Sequence, residues 1–194
     1  MRLFRYLALL VLFLDLPVPV YWFILHPLNG FWRRHVRAAF WTATLGAWVL
    51  GGVFIGLFHG ELIRAGGPSF PMALAGLVLI ASDVILLRLA SRDLGNMKLV
   101  GHAELTGAMD MITDGLYAHV RHPRYAGMIA AVAGACVLAE TRFAWITGAA
   151  WLALVMASIS MEEREMRNRF GAVYEEYCRR VPRFLPMRMR ARRA

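Results

Sequence analysis

Thr-Asp-Gly-Leu-Tyr-Ala-His-Val-Arg-His-Pro-Arg-Tyr-Ala-Gly, residues 113–127, is the polar stretch around which the chain is organised. An apolar segment begins at its end, turns near Glu140-Thr141-Arg142 and stops at Glu162-Glu163-Arg164-Glu165. A helical hairpin that crosses a membrane returns to the side on which it began. We therefore expect the basic cluster around Arg121 and His122 to meet the paired glutamates.

The composition is that of a membrane protein. Of the 194 residues, 59% are hydrophobic and only 18% are charged, which is too apolar for an ordinary soluble domain. Several segments approach the ~20 apolar residues that cross a bilayer. The sequence predicts an all-α, multi-pass membrane protein with an amphipathic C-terminal helix over Met166–Val181. About five transmembrane helices are expected, at roughly 4–25, 38–58, 70–89, 123–139 and 143–161. The first of them should be kinked by its prolines.

The net charge of +9 comes largely from arginines beside apolar segments and in the tail. This distribution indicates topology signals and lipid contacts rather than nucleic-acid binding. The loops 26–37 and 88–124 and the tail from Arg164 collect most of these charges, which predicts that they and the C-terminus are cytoplasmic, at the inner (cell) membrane if the protein is bacterial. Two isolated cysteines predict neither a disulfide nor a metal site.

Two acidic residues fall within the predicted membrane helices. Asp83 is either a functional group, as ionisable groups at this depth usually are, or a structural one that pairs with Arg88 or hydrogen-bonds another helix. Asp15 lies at the proline kink, where we expect it to be near an interface or satisfied by the loosened backbone rather than to have a functional role.

His122-Pro123 has the sequence of a helix start, because proline suits the first helical position and keeps the preceding residue out of the helix. Free backbone N–H groups there, with Arg121 and Tyr125 nearby, would suit a carboxylate or a phosphate. Glu162 and Glu163 could hold an ammonium group, so that a zwitterionic amino-acid moiety would fit between the two clusters. The alternative is a basic membrane boundary facing a solvated acidic pair.

Five motifs together resemble the isoprenylcysteine carboxyl methyltransferase family and the related membrane phospholipid N-methyltransferases. They are Asp114-Gly115-Leu116-Tyr117, Arg121-His122-Pro123-x-Tyr125-x-Gly127, Glu162-Glu163, Phe170-Gly171-x-x-Tyr174-x-x-Tyr177 and Val181-Pro182-Arg183-Phe184-Leu185-Pro186.

The resemblance implies S-adenosylmethionine as cofactor, and no metal. It implies that Arg121 faces the reacting groups, that Glu163 or His122 acts as general base if the acceptor is an amine, and that the cofactor is surrounded by Gly115, Tyr117, His122, Pro123, Tyr125, Glu162 and Glu163. The chain departs from the family pattern at Ala108-Met109, where a Gly-His pair is usual; here Gly101-His102 lies upstream.

One membrane domain, 1–194, would then comprise three scaffold helices (1–91), a methyltransferase-like region (92–186) and a basic tail (187–194). The expected activity is methyl transfer to a lipophilic acceptor in the membrane, on a carboxylate oxygen or an amine nitrogen. Two alternatives are an NADPH-dependent reductase, since sterol reductases end in similar Arg-His-Pro-x-Tyr and Tyr-Cys-x-x-Val-Pro motifs, and a non-catalytic lipid-binding membrane protein.

Overall fold

The computed structural model describes residues 2–25, 34–63, 67–94 and 111–185. The loop at 95–110, which contains Gly101-His102 and Ala108-Met109, and the basic end 187–194 lie outside the described residues. Within the described ranges the chain is helical, without strands, as predicted. A 3-10 turn spans Gly115–Ala118, and the α-helices are α1 Arg2–Asp15, α2 Val18–Leu25, α3 Val36–Leu62, α4 Phe70–Leu94, α5 Pro123–Ala139, α6 Arg142–Phe170 and α7 Ala172–Arg180.

Four stretches are long and apolar enough to cross a membrane: Arg2–Leu25, Arg37–Leu62, Phe70–Asp93 and Arg142–Phe170. α5, predicted as a further crossing, has 17 residues, which at 1.5 Å per residue corresponds to about 25 Å. The predicted total of about five crossings therefore stays a prediction.

The kink predicted in the first span is confirmed, because α1 ends at Asp15 and α2 begins at Val18. Pro19 has no N–H to donate to the carbonyl of Asp15, one helical turn earlier. The indole N–H of Trp151 in α6 donates to that carbonyl instead, at 2.9 Å. At the kink, Pro17 faces Gly51 of α3, where a Cβ would approach the proline ring to 2.6 Å. The kink thus fixes α1 and α2 against both α3 and α6.

α5 is the most enclosed part of the predicted hairpin, and it packs mainly against α4 and α1. Glycines allow the close approach to α4. A Cβ on Gly134 would lie 2.6 Å from the carbonyl oxygen of Gly76, and one on Gly127 would lie 2.5 Å from the carboxylate of Asp83. The start of α5 therefore lies directly beside an acidic residue of α4.

The hairpin turn also lies where the sequence predicted it. Glu140 takes a left-handed conformation with φ of 55°, and the Thr141 hydroxyl caps α6 by accepting from the N–H of Ala144 at 3.0 Å. The same hydroxyl donates to the carbonyl of Leu62, at the end of α3. The start of α5 and the end of α6 therefore lie towards the same end of the bundle.

Among the boundaries that differ from the prediction, two lie in the C-terminal part of the chain. α6 was expected to end near 161, but it continues to Phe170, because the glutamates and arginines that follow are good helix formers. The amphipathic helix expected over 166–181 is interrupted at Gly171, which has φ of +54°. Its apolar residues are therefore divided between the end of α6 and α7. Glu162 and Glu163 consequently lie on a rigid helix rather than in a loop after it.

Candidate active site

The start of α5 is joined to the C-terminal segment by backbone hydrogen bonds. The N–H of Arg121 donates to the carbonyl of Pro182 at 2.8 Å, and the N–H of His122 donates to that of Arg183 at 3.0 Å. These two N–H groups are therefore not free to bind an anion, because the segment after α7 accepts both of them. The predicted anion site at the start of α5 stays a prediction.

Glu163 is the centre of the basic cluster. Its side chain is fully buried, and Arg183 binds it side-on, with Nη2 at 2.6 Å from Oε2 and Nε at 3.0 Å from Oε1. His122 donates from Nε2 to Oε1 at 3.2 Å. Arg121 and Arg167 each place a guanidinium nitrogen 3.4 Å from the carboxylate. One carboxylate thus holds together the start of α5, the middle of α6 and the C-terminal segment.

The cluster carries more positive than negative charge. Three arginines, Arg121, Arg167 and Arg183, surround the one carboxylate of Glu163, which gives this group of described residues an excess of two positive charges. The hydrogen bond to Glu163 raises the pKa of Arg183, so its charge is permanent. The Nε of Arg121 is buried and, among the described residues, has no hydrogen-bond partner. An anion next to Arg121 would satisfy that nitrogen and reduce the excess charge.

Glu162 has a different environment from its neighbour, because consecutive helical residues point about 100° apart. It is partly exposed, lines a cavity, and makes no hydrogen bond or ion pair within the described part of the chain. Burial raises the pKa of Tyr117, and the nearby charge of Glu162 raises it further. Glu162 and Tyr117 both line the cavity.

The cavity has a volume of about 730 Å³ and joins a polar end to a long apolar part. The polar end is lined by Tyr117, Arg121, His122, Tyr125, Glu162, Tyr174 and Tyr177. The apolar part lies among the N-terminal helices and is lined by residues such as Leu7, Val11, Tyr21, Trp22, Phe40, Trp48, Ile80 and Leu87.

The 3-10 turn closes the polar end. Gly115 has φ of +56°, and a Cβ there would collide with the carboxylate of Asp93. That carboxylate accepts the N–H of Leu116 at 2.7 Å. The hydroxyl of Tyr177 donates to the carbonyl of Tyr117 at 2.7 Å. The turn is thus held from α4 on one side and from α7 on the other.

A second ionic cluster lies along the same cavity. Arg124 hydrogen-bonds Asp83 of α4, and its Nη2 lies 3.7 Å from Oδ1 of Asp15 in α1. Of the two structural alternatives predicted for Asp83, the hydrogen bond to another helix is confirmed and the pair with Arg88 is not. Arg88 lies on the same helix as Asp83, whereas α5 brings Arg124 across to it through the close contact at Gly127.

The structure brings most of the predicted site residues to one cavity, with two exceptions. Tyr117, Arg121, His122, Pro123, Tyr125 and Glu162 line it. Gly115 shapes the adjoining turn, and Glu163 lies behind Arg121 and His122 instead of on the wall. The roles predicted for all of these residues stay predictions.

Sequence reasoning missed Arg124, Asp15 and Arg183 as parts of this region. Arg183 stands in a Val-Pro-Arg motif next to a proline, and Arg124 follows Pro123. The arginines beside these prolines could therefore have been singled out from the sequence. Their acidic partners could not, because nothing in the sequence indicates which acids they contact.

Comparison with known proteins identifies the family. The model of the phospholipid methyltransferase family matches residues 72–173, which is 102 of the 194 residues and covers α4, α5, α6 and the start of α7. No curated protein and no solved structure matches the chain. The matched region contains the hairpin, Arg121, His122 and both glutamates. With its four apolar spans, the chain is an integral membrane protein that belongs to the phospholipid methyltransferase family.

Proposed function

We propose that this protein transfers a methyl group from S-adenosylmethionine to a lipophilic acceptor held in the membrane. The observation that carries this proposal is the single cavity in which a charged end, with Arg121 and Glu162, continues into an apolar part between helices. A soluble, zwitterionic methyl donor suits the first environment and a lipid tail suits the second.

The charged end fits the amino-acid moiety of the donor. The buried, unpartnered Nε of Arg121 would bind its carboxylate, and Glu162 would bind its ammonium group. Tyr117, His122, Pro123 and Tyr125 line the same end and would surround the rest of the molecule. The cofactor, when bound, supplies an electrophilic methyl group on a sulfonium.

Glu163 would act indirectly. Its carboxylate is held by four basic side chains, which leaves it a weak base and poorly placed to contact a ligand. By fixing Arg121 and His122 from behind, it would keep them in position at the cavity wall. A direct contact between Glu163 and the cofactor, as the family resemblance implies, would require this cluster to rearrange.

The acceptor would occupy the apolar part of the cavity. Much of that wall comes from α1, α2 and α3, which precede the region matched by the family model. Methyl transfer is an in-line displacement, so holding the acceptor atom opposite the sulfonium provides much of the acceleration. The protein's contribution is then to align the two reactants in a site from which water is largely excluded.

The orientation of the protein in the membrane follows from where the methyl donor is found. A water-soluble donor is available in the cytoplasm, and the polar end is formed by the start of α5, the later turns of α6 and α7. We therefore assign that end and the C-terminus to the cytoplasmic side, where the arginine distribution also places them.

The test is methyl transfer by the purified protein in detergent, with tritium-labelled S-adenosylmethionine and a membrane lipid extract. We expect label in the lipid fraction, and a large loss of transfer in Glu162→Gln. The matched control is Glu175→Gln, which removes an exposed carboxylate of α7 that does not line the cavity and should retain full transfer. NADPH consumption with no transfer of label would contradict the proposal and favour a reductase.

A further inference from the structure

We propose that Asp15, in the kinked first span, is a catalytic residue that takes the proton from the acceptor atom during methylation. This inference rests on the proposed function and extends it. It implies an acceptor that carries a proton on its nucleophilic atom, such as an amine or a thiol, rather than a carboxylate.

The position of Asp15 supports the proposal. The residue is 4% exposed, yet it lines the cavity between the apolar part and the start of α5. Its backbone carbonyl is satisfied by Trp151. Its carboxylate, in contrast, has only one ion pair in the described part of the chain, with Arg124 at 3.7 Å, beyond hydrogen-bond distance. The oxygens thus keep capacity to accept a proton from a molecule in the cavity.

Asp15 shares its one cation with a second acid of the described residues. The charged groups that face it are Arg124 from α5 and Asp83 from α4. Arg124 hydrogen-bonds Asp83, so one guanidinium serves the buried carboxylate of Asp15 and the partly buried one of Asp83, an excess of one negative charge among the described residues that contact each other here. Both acids line the cavity. A proton, or a cationic acceptor that releases one, would neutralise the excess.

The other candidate bases are less suitable. Glu163 already accepts from His122 and Arg183 and has two further arginines within 3.4 Å. His122 donates from Nε2 to Glu163, so only its Nδ1 could accept a proton. Asp83 is engaged by Arg124. Glu162 has no partner among the described residues but is assigned above to the ammonium group of the methyl donor, so Asp15 is the least occupied cavity carboxylate that remains.

The proposed step moves one proton and one methyl group. The bond from the acceptor nitrogen or sulfur to its hydrogen breaks, and the proton moves to a carboxylate oxygen of Asp15. The acceptor atom uses the freed electron pair to form a bond to the methyl carbon. The bond from that carbon to the sulfonium sulfur breaks, and its electrons stay on the sulfur as a thioether. Asp15 later releases its proton to water.

The test compares the wild type with Asp15→Asn, which keeps the side-chain shape, and with Asp15→Glu, which keeps the carboxylate. Binding of S-adenosylmethionine reports the intact polar end, and the rate of label transfer to the lipid extract is measured as a function of pH. Treatment of the labelled lipid with mild alkali then separates methyl esters, which release methanol, from N-methyl and S-methyl products, which are stable.

We expect Asp15→Asn to bind the cofactor normally and to transfer label roughly a hundredfold more slowly at neutral pH. The deficit should shrink as the pH rises, because the acceptor then loses its proton to hydroxide. Asp15→Glu should retain the wild-type pH profile, and the product should be alkali-stable.

Three results would overturn the inference while leaving the proposed function intact: wild-type rates in Asp15→Asn, a deficit that does not depend on pH, or a product that releases methanol in alkali. Loss of cofactor binding in Asp15→Asn in proportion to the rate would also overturn it, since the residue would then be structural. If the wild type itself transfers no label, the proposed function fails and this inference fails with it.

Discussion

Replacing Glu163 with glutamine should destabilise the protein strongly, because the carboxylate is fully buried and joins three parts of the chain. Glutamine keeps the shape but removes the charge, and its amide N–H groups would face the donors of Arg183. Breaking a buried ion pair by neutralising one partner costs about 3–5 kcal/mol. At about 2–4 °C per kcal/mol for a chain of this length, the unfolding midpoint should fall by roughly 6–20 °C.

The assay is thermal unfolding in one detergent, followed by circular dichroism and by recovery of the monodisperse protein after heating. Glu162→Gln is the matched control, because it is the same substitution one position earlier on α6, at a residue without an ion pair in the described ranges. Its midpoint should stay close to that of the wild type. Equal midpoints for the two variants would refute the view that Glu163 holds the cluster and Glu162 does not.

Two further substitutions probe the turn beside the cavity. Tyr177→Phe removes the 2.7 Å hydrogen bond to the carbonyl of Tyr117 and should cost about 1 kcal/mol in the free energy of unfolding. Burial raises the pKa of Tyr177 to about 12, although the charge of Arg121 opposes the rise, so the hydroxyl keeps its proton near neutral pH. The loss of stability in Tyr177→Phe should therefore be the same throughout the neutral pH range. A loss of stability that disappears on a small pH change would contradict this. Gly115→Ala forces a side chain into a left-handed conformation, at about 1–2 kcal/mol, and against the carboxylate of Asp93. We expect weaker cofactor binding than in the wild type and a lower unfolding midpoint, both measured in detergent, and an unchanged midpoint would show that the turn yields without strain.

The hairpin was predictable because its signals are local. Pro123 fixes where α5 begins, and Thr141 caps α6. The pair Glu162-Glu163 marks where the hairpin has returned to the side on which it began. Apolar length gave the spans, although α5, at 17 residues, falls at the short limit of what crosses a bilayer. The meeting of Arg121 with the glutamates followed from this topology alone.

The sequence could not predict that Glu163 is buried among basic side chains while Glu162 lines the cavity. It depends on the rotation of α6 about its axis, which is set by packing against α5 and by the way Arg183 reaches back from the C-terminal segment. The partner of Asp83 was missed for a similar reason. A pair between helices depends on which faces meet, and here Gly127 lets α5 approach α4 closely enough for Arg124 to reach it.

The central claim is that a zwitterionic methyl donor lies between Arg121 and Glu162, and equilibrium binding tests it most directly. S-adenosylmethionine and methylthioadenosine, which lacks the amino-acid moiety, would each be titrated into the wild type and into Glu162→Gln. The account predicts that the variant loses about 1.5–3 kcal/mol, roughly 10- to 150-fold in affinity, for S-adenosylmethionine and nothing for methylthioadenosine. Equal losses for both ligands, or no loss for either, would contradict it.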